Sequence, residues 1–461
     1  MPRPPSAPDT RDGGGLLFQG EGDWEYAPCF FFLLSPILTC NMYPAMQMTI
    51  NAPQNVCGHV CLPSSKSISN RVLVMNALTK GIKKSELNNL ADCDDTRVML
   101  NWLGHPSDII NIGAAGTAMR FSSALLAVTD GIKVITGTER MKNRPISILV
   151  DALRKLGATV DYMEKDGFPP LRIVGNSRME GGSISLPGNV SSQYISALLM
   201  IAPTMEKGLS LTLTDAVISR PYIDLTLQLM TDFGAKCYWC GESQIIVEPI
   251  PYSSRTYFVE SDWSASSYWY EMAALSEDSE IVLVGLFQNS YQGDAKVADI
   301  FEHLGVQTIF EHSDNIPRVI LRKKGEPCKY MNYDFLNQPD LAQTFVVCCC
   351  MMDIPFRFTG LQSLKIKETD RITALRNELL KLGYVVKEEN DSVLYWDGEK
   401  VPVSPSPAID TYEDHRMAMA FAPCALKFGE IRINNPEVVS KSYPKYWENL
   451  KAVGFQIETS K

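Results

Sequence analysis

The sequence predicts an internally repeated α/β protein, and two periodic patterns carry that reading. The first is a helix-like segment that ends in an apolar residue and glycine, then runs straight into β-prone residues. It occurs as "WLGHPS", "KLGATVDY", "DFGAKCYW", "HLGVQTIF", "KLGYVVKE" and "AVGFQIET". The glycines are Gly104, Gly157, Gly234, Gly305, Gly383 and Gly454, at intervals of 53, 77, 71, 78 and 71 residues. Glycine just past a helix end takes the left-handed cap at no Cβ cost, and a strand then begins. Six near-equal units follow, and the short first interval predicts that one unit has lost a hairpin.

The second pattern is a series of six nearly uncharged helices, each opening on a small polar cluster. They read "SSKSISNRVLVMNAL", "GAAGTAMRFSSALLAV", "VSSQYISALLMIAP", "SDWSASSYWYEMAAL", "PDLAQTFVVCCCMM" and "EDHRMAMAFAPCAL". Helices that are apolar all round are buried. Each start has unpaired N–H groups and the positive end of the helix dipole. Ser, Asp and Gly are ordinary caps, so a single start implies nothing more. Four of the six add a Lys, Arg or Gln that a cap does not need. If the six starts converge, they form an anion-binding floor. Two polar knots, "IKETDR" and "EDHR", raise the same question: are they solvated helix ends or walls of one site?

Bulk properties narrow the function classes. A chain of 461 residues has room for two or three domains. Hydrophobic and charged contents of 45% and 21% fit a globular protein. A net charge of −10 argues against a general nucleic-acid or anionic-membrane binder, so any anion site must gather its bases locally. The 12 cysteines have no regular spacing, and Cys348, Cys349 and Cys350 lie inside an apolar run. Buried thiols in a reducing, cytoplasmic protein are expected. With 5 histidines and no ligand spacing, no metal site is expected. Residues 1–45 are rich in Pro, Gly and acid before "CFFFLLSPILTC", which is too short to span a bilayer and is broken by Pro36. They are read as a disordered or mis-annotated leader.

The motifs "LPSSKSISNR", "GAAGTAMR", "RMKNRPI", "VSSQYISALLM", "ISRPYIDLTLQLM", "VESDWSASSY", "IKETDR", "DHRMAMAF" and "KSYPKYW", in that order, resemble the 5-enolpyruvylshikimate-3-phosphate synthase family. The resemblance runs from about Met46 to the C-terminus. It implies a two-domain inside-out α/β barrel, each domain three repeats of a βαβαββ-like unit with buried helices. Residues 46–65 with 260–461 would form one domain and 66–259 the other, with the crossovers near Ser65 and Glu260 as hinge. The implied reaction joins phosphoenolpyruvate to shikimate 3-phosphate and releases phosphate, without metal or other cofactor. Neither nucleic acid nor membrane is an expected partner, and a monomer is expected.

By the same resemblance, Lys66, Gly116, Arg144, Gln193, Arg371, Arg416 and Lys441 would bind phosphoenolpyruvate. Arginine's planar fork suits its phosphate and carboxylate. Shikimate 3-phosphate would meet Lys66, Ser67, Arg71, Ser191, Ser192, Gln193, Ser219, Tyr222, Asp340 and Lys367, because hydroxyls and amides suit a hydroxylated ring. Asp340, Glu368 and Lys66 would move protons. Plainer readings stand beside these. Arg144 can be a surface charge, Arg371 a helix-face pair with Glu368, Ser191 and Ser192 caps, Tyr222 a core tyrosine, and His415 a residue held by an orienting hydrogen bond. Departures from the family pattern occur at Ser64, Ala114, Trp263 and Ser363. A sister enolpyruvyl transferase acting on a UDP-sugar, and a binding protein without turnover, are the alternatives.

Overall fold

Five four-stranded sheets and one two-stranded sheet carry the strands of a computed structural model that describes residues 46–79, 84–105, 107–313 and 316–460. The leader expected at residues 1–45 lies outside the described residues. The sheets mix parallel and antiparallel pairs. Val56–Cys61 runs parallel to Ser279–Val284, which pairs antiparallel with Ile316–Lys323, and that strand with Val306–Ser313. The two-stranded sheet joins Glu86–Asn88 to Thr256–Phe258 in parallel. It falls in the unit with the short first interval, where the missing hairpin was expected. Alternation sets the strand faces: Met48 and Ile50 are buried while their neighbours are partly exposed.

The six apolar helices form the interior, so the fold is inside-out: helices, not strands, make the centre. They are Lys66–Leu78, Gly116–Ala127, Ser192–Ile201, Trp263–Leu275, Ala342–Met351 and His415–Phe421. Every residue of Ala342–Met351 is buried, including Cys348, Cys349 and Cys350. The sheets stay separate, and no closed barrel forms among the described residues. Buried side chains fall into two clusters. One gathers residues from Met48 to Leu62 and from Trp263 to Phe455; the other runs from Ile68 to Val259. Among the described residues no helix is long and apolar enough to cross a membrane.

Five of the six repeat glycines take the expected left-handed cap, with φ from +82° to +105°. Gly104 does not: it is the last residue of the helix Asp94–Gly104. The next residue, His105, precedes a proline and is pushed out of the helical region, to φ −132° and ψ 79°. The proline ends the helix, so no left-handed residue is required.

The chain passes between the two clusters twice, side by side. Ser64 and Ser261 form an antiparallel bridge, the Ser65 amide donates to the Glu260 carbonyl at 2.8 Å, and the Asp262 amide to the Pro63 carbonyl at 2.9 Å. Gln292 braces the pair: its amide donates to the Ser261 carbonyl at 2.8 Å, and its oxygen accepts from the Ser65 hydroxyl at 3.0 Å.

Candidate active site

The buried helix starts converge. A cleft is lined by Lys66 and Ser67, Gly116 and Thr117, Ser191 to Gln193, Asp340, and His415 with Arg416, all at or next to helix starts. The sixth start, at Asp262 and Ser264, borders an adjoining pocket that shares Lys66, Ser67, Asp340 and Arg416. Four starts are capped by side chains, because Ser65, Ser191, Asp262 and Asp414 each accept a backbone N–H one turn in. The starts at Ala115 and Leu341 have no side-chain cap, so their first N–H groups remain for other partners. All the sequence-predicted residues except Lys441 line this cleft. Lys441 lines a neighbouring cavity that shares Asp95, Arg144 and Glu368, and its ammonium lies 2.9 Å from the Glu368 carboxylate.

One wall is a charge network. Asp340 accepts from Arg416 Nη2 at 2.9 Å, from Arg371 Nη1 at 3.3 Å and from Lys367 at 3.4 Å. Arg371, 1% exposed, also donates to Glu368 at 2.9 Å and through Nε to Asp414 at 2.7 Å. The helix-face pair with Glu368 therefore exists, but as one edge of a larger lattice. Asp414 is fully buried and caps the His415–Phe421 helix. Burial works against ionisation of Asp340 and Glu368. The surrounding cations outweigh it: Arg416, Lys367 and Arg371 hold Asp340 below the usual carboxylate range, and Lys441 and Arg371 do the same for Glu368. Both are carboxylates at neutral pH.

The facing wall is built from hydroxyls, an amide and guanidiniums. Ser67, Ser191, Ser192, Gln193, Ser219 and Tyr222 line it. Ser219 adopts a left-handed conformation with φ +55° ahead of the Arg220–Asp232 helix, and its amide donates to the Leu336 carbonyl at 3.1 Å. Arg71 is held by Thr226 Oγ1 at 2.7 Å, the Ser67 carbonyl at 2.9 Å, and Ser196 Oγ and the Tyr222 carbonyl at 3.2 Å. Those bonds use four of its five N–H donors. Burial lowers it to about 10, so it is cationic at neutral pH. Arg144 has no carboxylate partner within salt-bridge range among the described residues, and burial, then Arg120, lower its pKa. Gly116 makes room for it: a Cβ there would clash with Arg144 Nη1 and lie 2.8 Å from Arg120 Nη1. The surface-charge reading of Arg144 is thereby set aside, as is the core reading of Tyr222, which opens on the cleft.

Lys66 bridges the walls. Its Nζ is 3.9 Å from Asp95 Oδ2. Burial would lower its pKa, but Asp95 and other acidic neighbours outweigh it and raise it. Asp95 was not singled out in the sequence because "DCDDTR" reads as an ordinary acidic first helix turn, and only the fold brings it to Lys66. The orienting hydrogen bond expected for His415 is not made among the described residues: both ring nitrogens are buried without a partner there, and Nδ1 is 3.6 Å from Asp414. Burial, then Lys66 and Arg416, push His415 well below its ordinary value, so the imidazole is neutral.

The departures lie off the cleft floor. Trp263, the first residue of its helix, is fully buried and packs against Phe310, with ring centroids 6.3 Å apart. Ala114 lines the neighbouring cavity, and Ser363 is absent from the cleft lining.

Fold and cleft together define a class: a repeated α/β protein whose buried helix starts and basic side chains converge on a site for small polyanions. Comparison with known proteins makes the class specific. The chain matches the family EPSP synthase (3-phosphoshikimate 1-carboxyvinyltransferase) over residues 50–105 and 102–450. A 3-phosphoshikimate 1-carboxyvinyltransferase of Bacteroides fragilis is 55% identical over 413 residues, 90% of this chain and 99% of the relative. One from Vibrio campbellii is 36% identical over 435 residues, covering 88% and 99%. The structure of EPSP synthase from Acinetobacter baumannii aligns with a TM-score of 0.74 at 22% identity, over 90% of this chain and 100% of that one, which shows the shared fold. This chain belongs to the EPSP synthase family.

Proposed function

We propose that the chain transfers the enolpyruvyl group of phosphoenolpyruvate to the 5-hydroxyl of shikimate 3-phosphate and releases phosphate, as 3-phosphoshikimate 1-carboxyvinyltransferase. The reaction belongs to the shikimate pathway, which supplies chorismate and the aromatic amino acids. The observation that supports the site assignment is Asp340: it lines the cleft together with the hydroxyl wall and is held by the charge network.

In this reading phosphoenolpyruvate lies toward Arg144, Arg371, Arg416, Lys441, Lys66 and the Gly116 backbone. Shikimate 3-phosphate lies along Ser67, Arg71, Ser191, Ser192, Gln193, Ser219, Tyr222 and Lys367. Asp340 takes the proton of the 5-hydroxyl as its oxygen bonds to C2 of phosphoenolpyruvate. Glu368 and Lys66 manage the proton that enters and later leaves C3. The tetrahedral adduct then expels phosphate and the double bond re-forms. A carboxylate held far below neutrality is a weak base. Substrate phosphates and carboxylates compete for Lys367, Arg371 and Arg416, which relaxes the hold on Asp340 and raises its proton affinity when both ligands are bound. The same cations then stabilise charge on the departing phosphate.

Residues 46–65 with 260–461, and residues 66–259, act as two domains hinged at the paired crossovers, and closure excludes water. The buried, free Cys348–Cys350 run supports a cytoplasmic setting. Phosphate release on mixing both substrates tests the reading. Release with a UDP-sugar acceptor and none with shikimate 3-phosphate would overturn it.

A further inference from the structure

Asp294 is a buried acid on the opposite side of the crossovers from Tyr222, and the mechanism above does not use it. It lies in the short turn Gly293–Lys296, which packs against the first turn of the Arg220–Asp232 helix. The approach is close enough to require glycine: a Cβ on Gly293 would overlap Pro221 Cβ and lie 3.1 Å from its Cγ. At that contact the Tyr222 hydroxyl reaches both Asp294 oxygens, at 3.2 and 3.3 Å, and the Ser264 hydroxyl donates to Oδ2. Asp294 thus ties cleft-lining Tyr222 and Ser264 of the adjoining pocket to a single carboxylate.

An ionised carboxylate only accepts hydrogen bonds, so Tyr222 must donate its one proton to Asp294. The tyrosine oxygen then offers only lone pairs to the cleft. A hydroxyl of a bound ligand is welcome there; a phosphate or carboxylate oxygen is not. We infer that Asp294 is a positioning residue that fixes the direction of the Tyr222 hydroxyl, so that Tyr222 accepts a hydrogen bond from a ring hydroxyl of the acceptor substrate. This rests on the proposed assignment of Tyr222 to the shikimate 3-phosphate side. Burial, then the facing Asp340, push Asp294 up to about 7; Ser264 and Arg416 pull it down and Asp262 pushes it up. These groups, with Tyr222, are the ones that face it. Protonation below that value would free Tyr222 to turn its proton toward the cleft.

Steady-state kinetics on Asp294→Ala, Asp294→Asn and Tyr222→Phe, with each substrate varied in turn, test the inference. Asp294→Ala should raise KM for shikimate 3-phosphate roughly tenfold, the loss of one ordered hydrogen bond, with KM for phosphoenolpyruvate within about twofold. Tyr222→Phe should match it, and the double variant should be no worse than either single one. Asp294→Asn, which keeps one acceptor oxygen, should recover most of the loss and abolish the rise in acceptor KM expected of the unaltered enzyme below about pH 7. Ionisation of the substrate's own phosphate affects both proteins equally and cancels in their ratio. Two results would overturn the inference: an Asp294→Ala effect on both KM values together with a lowered unfolding midpoint, or additive Asp294 and Tyr222 effects. If Tyr222→Phe itself leaves acceptor KM unchanged, the failure lies in the site assignment. If Tyr222→Phe raises it and Asp294→Ala does not, the failure lies in the role given to Asp294.

Discussion

The two walls of the cleft solve the same electrostatic problem in opposite ways. On the wall formed by Asp340, Lys367, Glu368, Arg371, Asp414 and Arg416, every one of these cations is neutralised by a carboxylate of the same wall. On the facing wall Arg71 is held by hydroxyls and carbonyls, and Arg144 has no such acid partner among the described residues. Burying a cation with its own counter-ion preserves the fold in the absence of ligand, but an arriving anion must then compete. Burying it with neutral dipoles leaves the charge available at a cost in desolvation, visible in the lowered Arg71 and Arg144 values. The networked wall is therefore expected to govern stability and protonation, and the hydroxyl wall to govern affinity and orientation.

The sharpest way to break this contrast is substitution across it. Lys66→Ala should lower kcat by at least ~10²-fold and cost less stability than loss of Arg371, because its 3.9 Å contact with buried Asp95 is longer than a hydrogen bond. Unchanged kcat would remove Lys66 from the chemistry. Arg371→Ala should lose as much activity and also about 3–5 kcal/mol of stability in urea unfolding, because Asp414, 0% exposed, is left as an unpaired buried charge. Equal stability of the two variants would show that the networked wall has no structural role.

Two buried glutamates, both in the half that carries the network, sharpen the comparison through pH. Glu368 has a depressed pKa, so its contribution to stability is complete above the unfolded value near 4.5 and is lost as pH falls through the folded value. Glu271 is the reverse: both its oxygens are buried without partners among the described residues, and burial raises it well above 4.5. Its contribution is complete below the unfolded value and lost as pH rises toward the folded one. Glu271→Met should therefore stabilise the protein by about 1–3 kcal/mol near pH 8 and by less near pH 4, read from unfolding midpoints. A gain independent of pH would mean that Glu271 is not neutral in the core.

Smaller effects belong to the hydroxyl wall. Ser192→Ala should raise KM for shikimate 3-phosphate by no more than about tenfold, with kcat and unfolding nearly unchanged. A large drop in kcat would place that wall in the chemistry rather than in positioning. The smallest signal is geometric: shikimate 3-phosphate should reduce the radius of gyration in small-angle scattering. An identical radius with and without ligand would count against the proposed hinge near Ser65 and Glu260.

Much of this was legible in the chain. The intervals between glycines revealed six units and the truncated first one, because a cap glycine and the strand after it are local events. Gly104 misled, because its helix is ended by the proline after His105 and not by a left-handed residue. The basic residues of "IKETDR" and "EDHR" were found, and so were Asp340, Glu368 and the Arg371–Glu368 pair, but Asp414 as a second partner of Arg371 was not. Nothing in "DCDDTR" or "YQGDAK" separates Asp95 or Asp294 from solvated acids. The unpartnered nitrogens of His415 were equally invisible, since a neighbouring aspartate in sequence is a natural hydrogen-bond partner that the helix start directs elsewhere, to the Arg416 amide and Arg371.

By itself the sequence determined the repeated α/β units, the burial of six apolar helices and the residue types at their starts. These follow from periodicity, capping and desolvation, which act within a few turns of chain. Only the tertiary structure decided which acids hold which bases, that Gly116 yields its space to Arg144, and that Asp294 reaches Tyr222. Those are contacts between groups far apart in the chain, 72 residues for Asp294 and Tyr222 and 76 for Asp340 and Arg416, and electrostatic coupling depends on distance in space, to which separation along the chain is no guide.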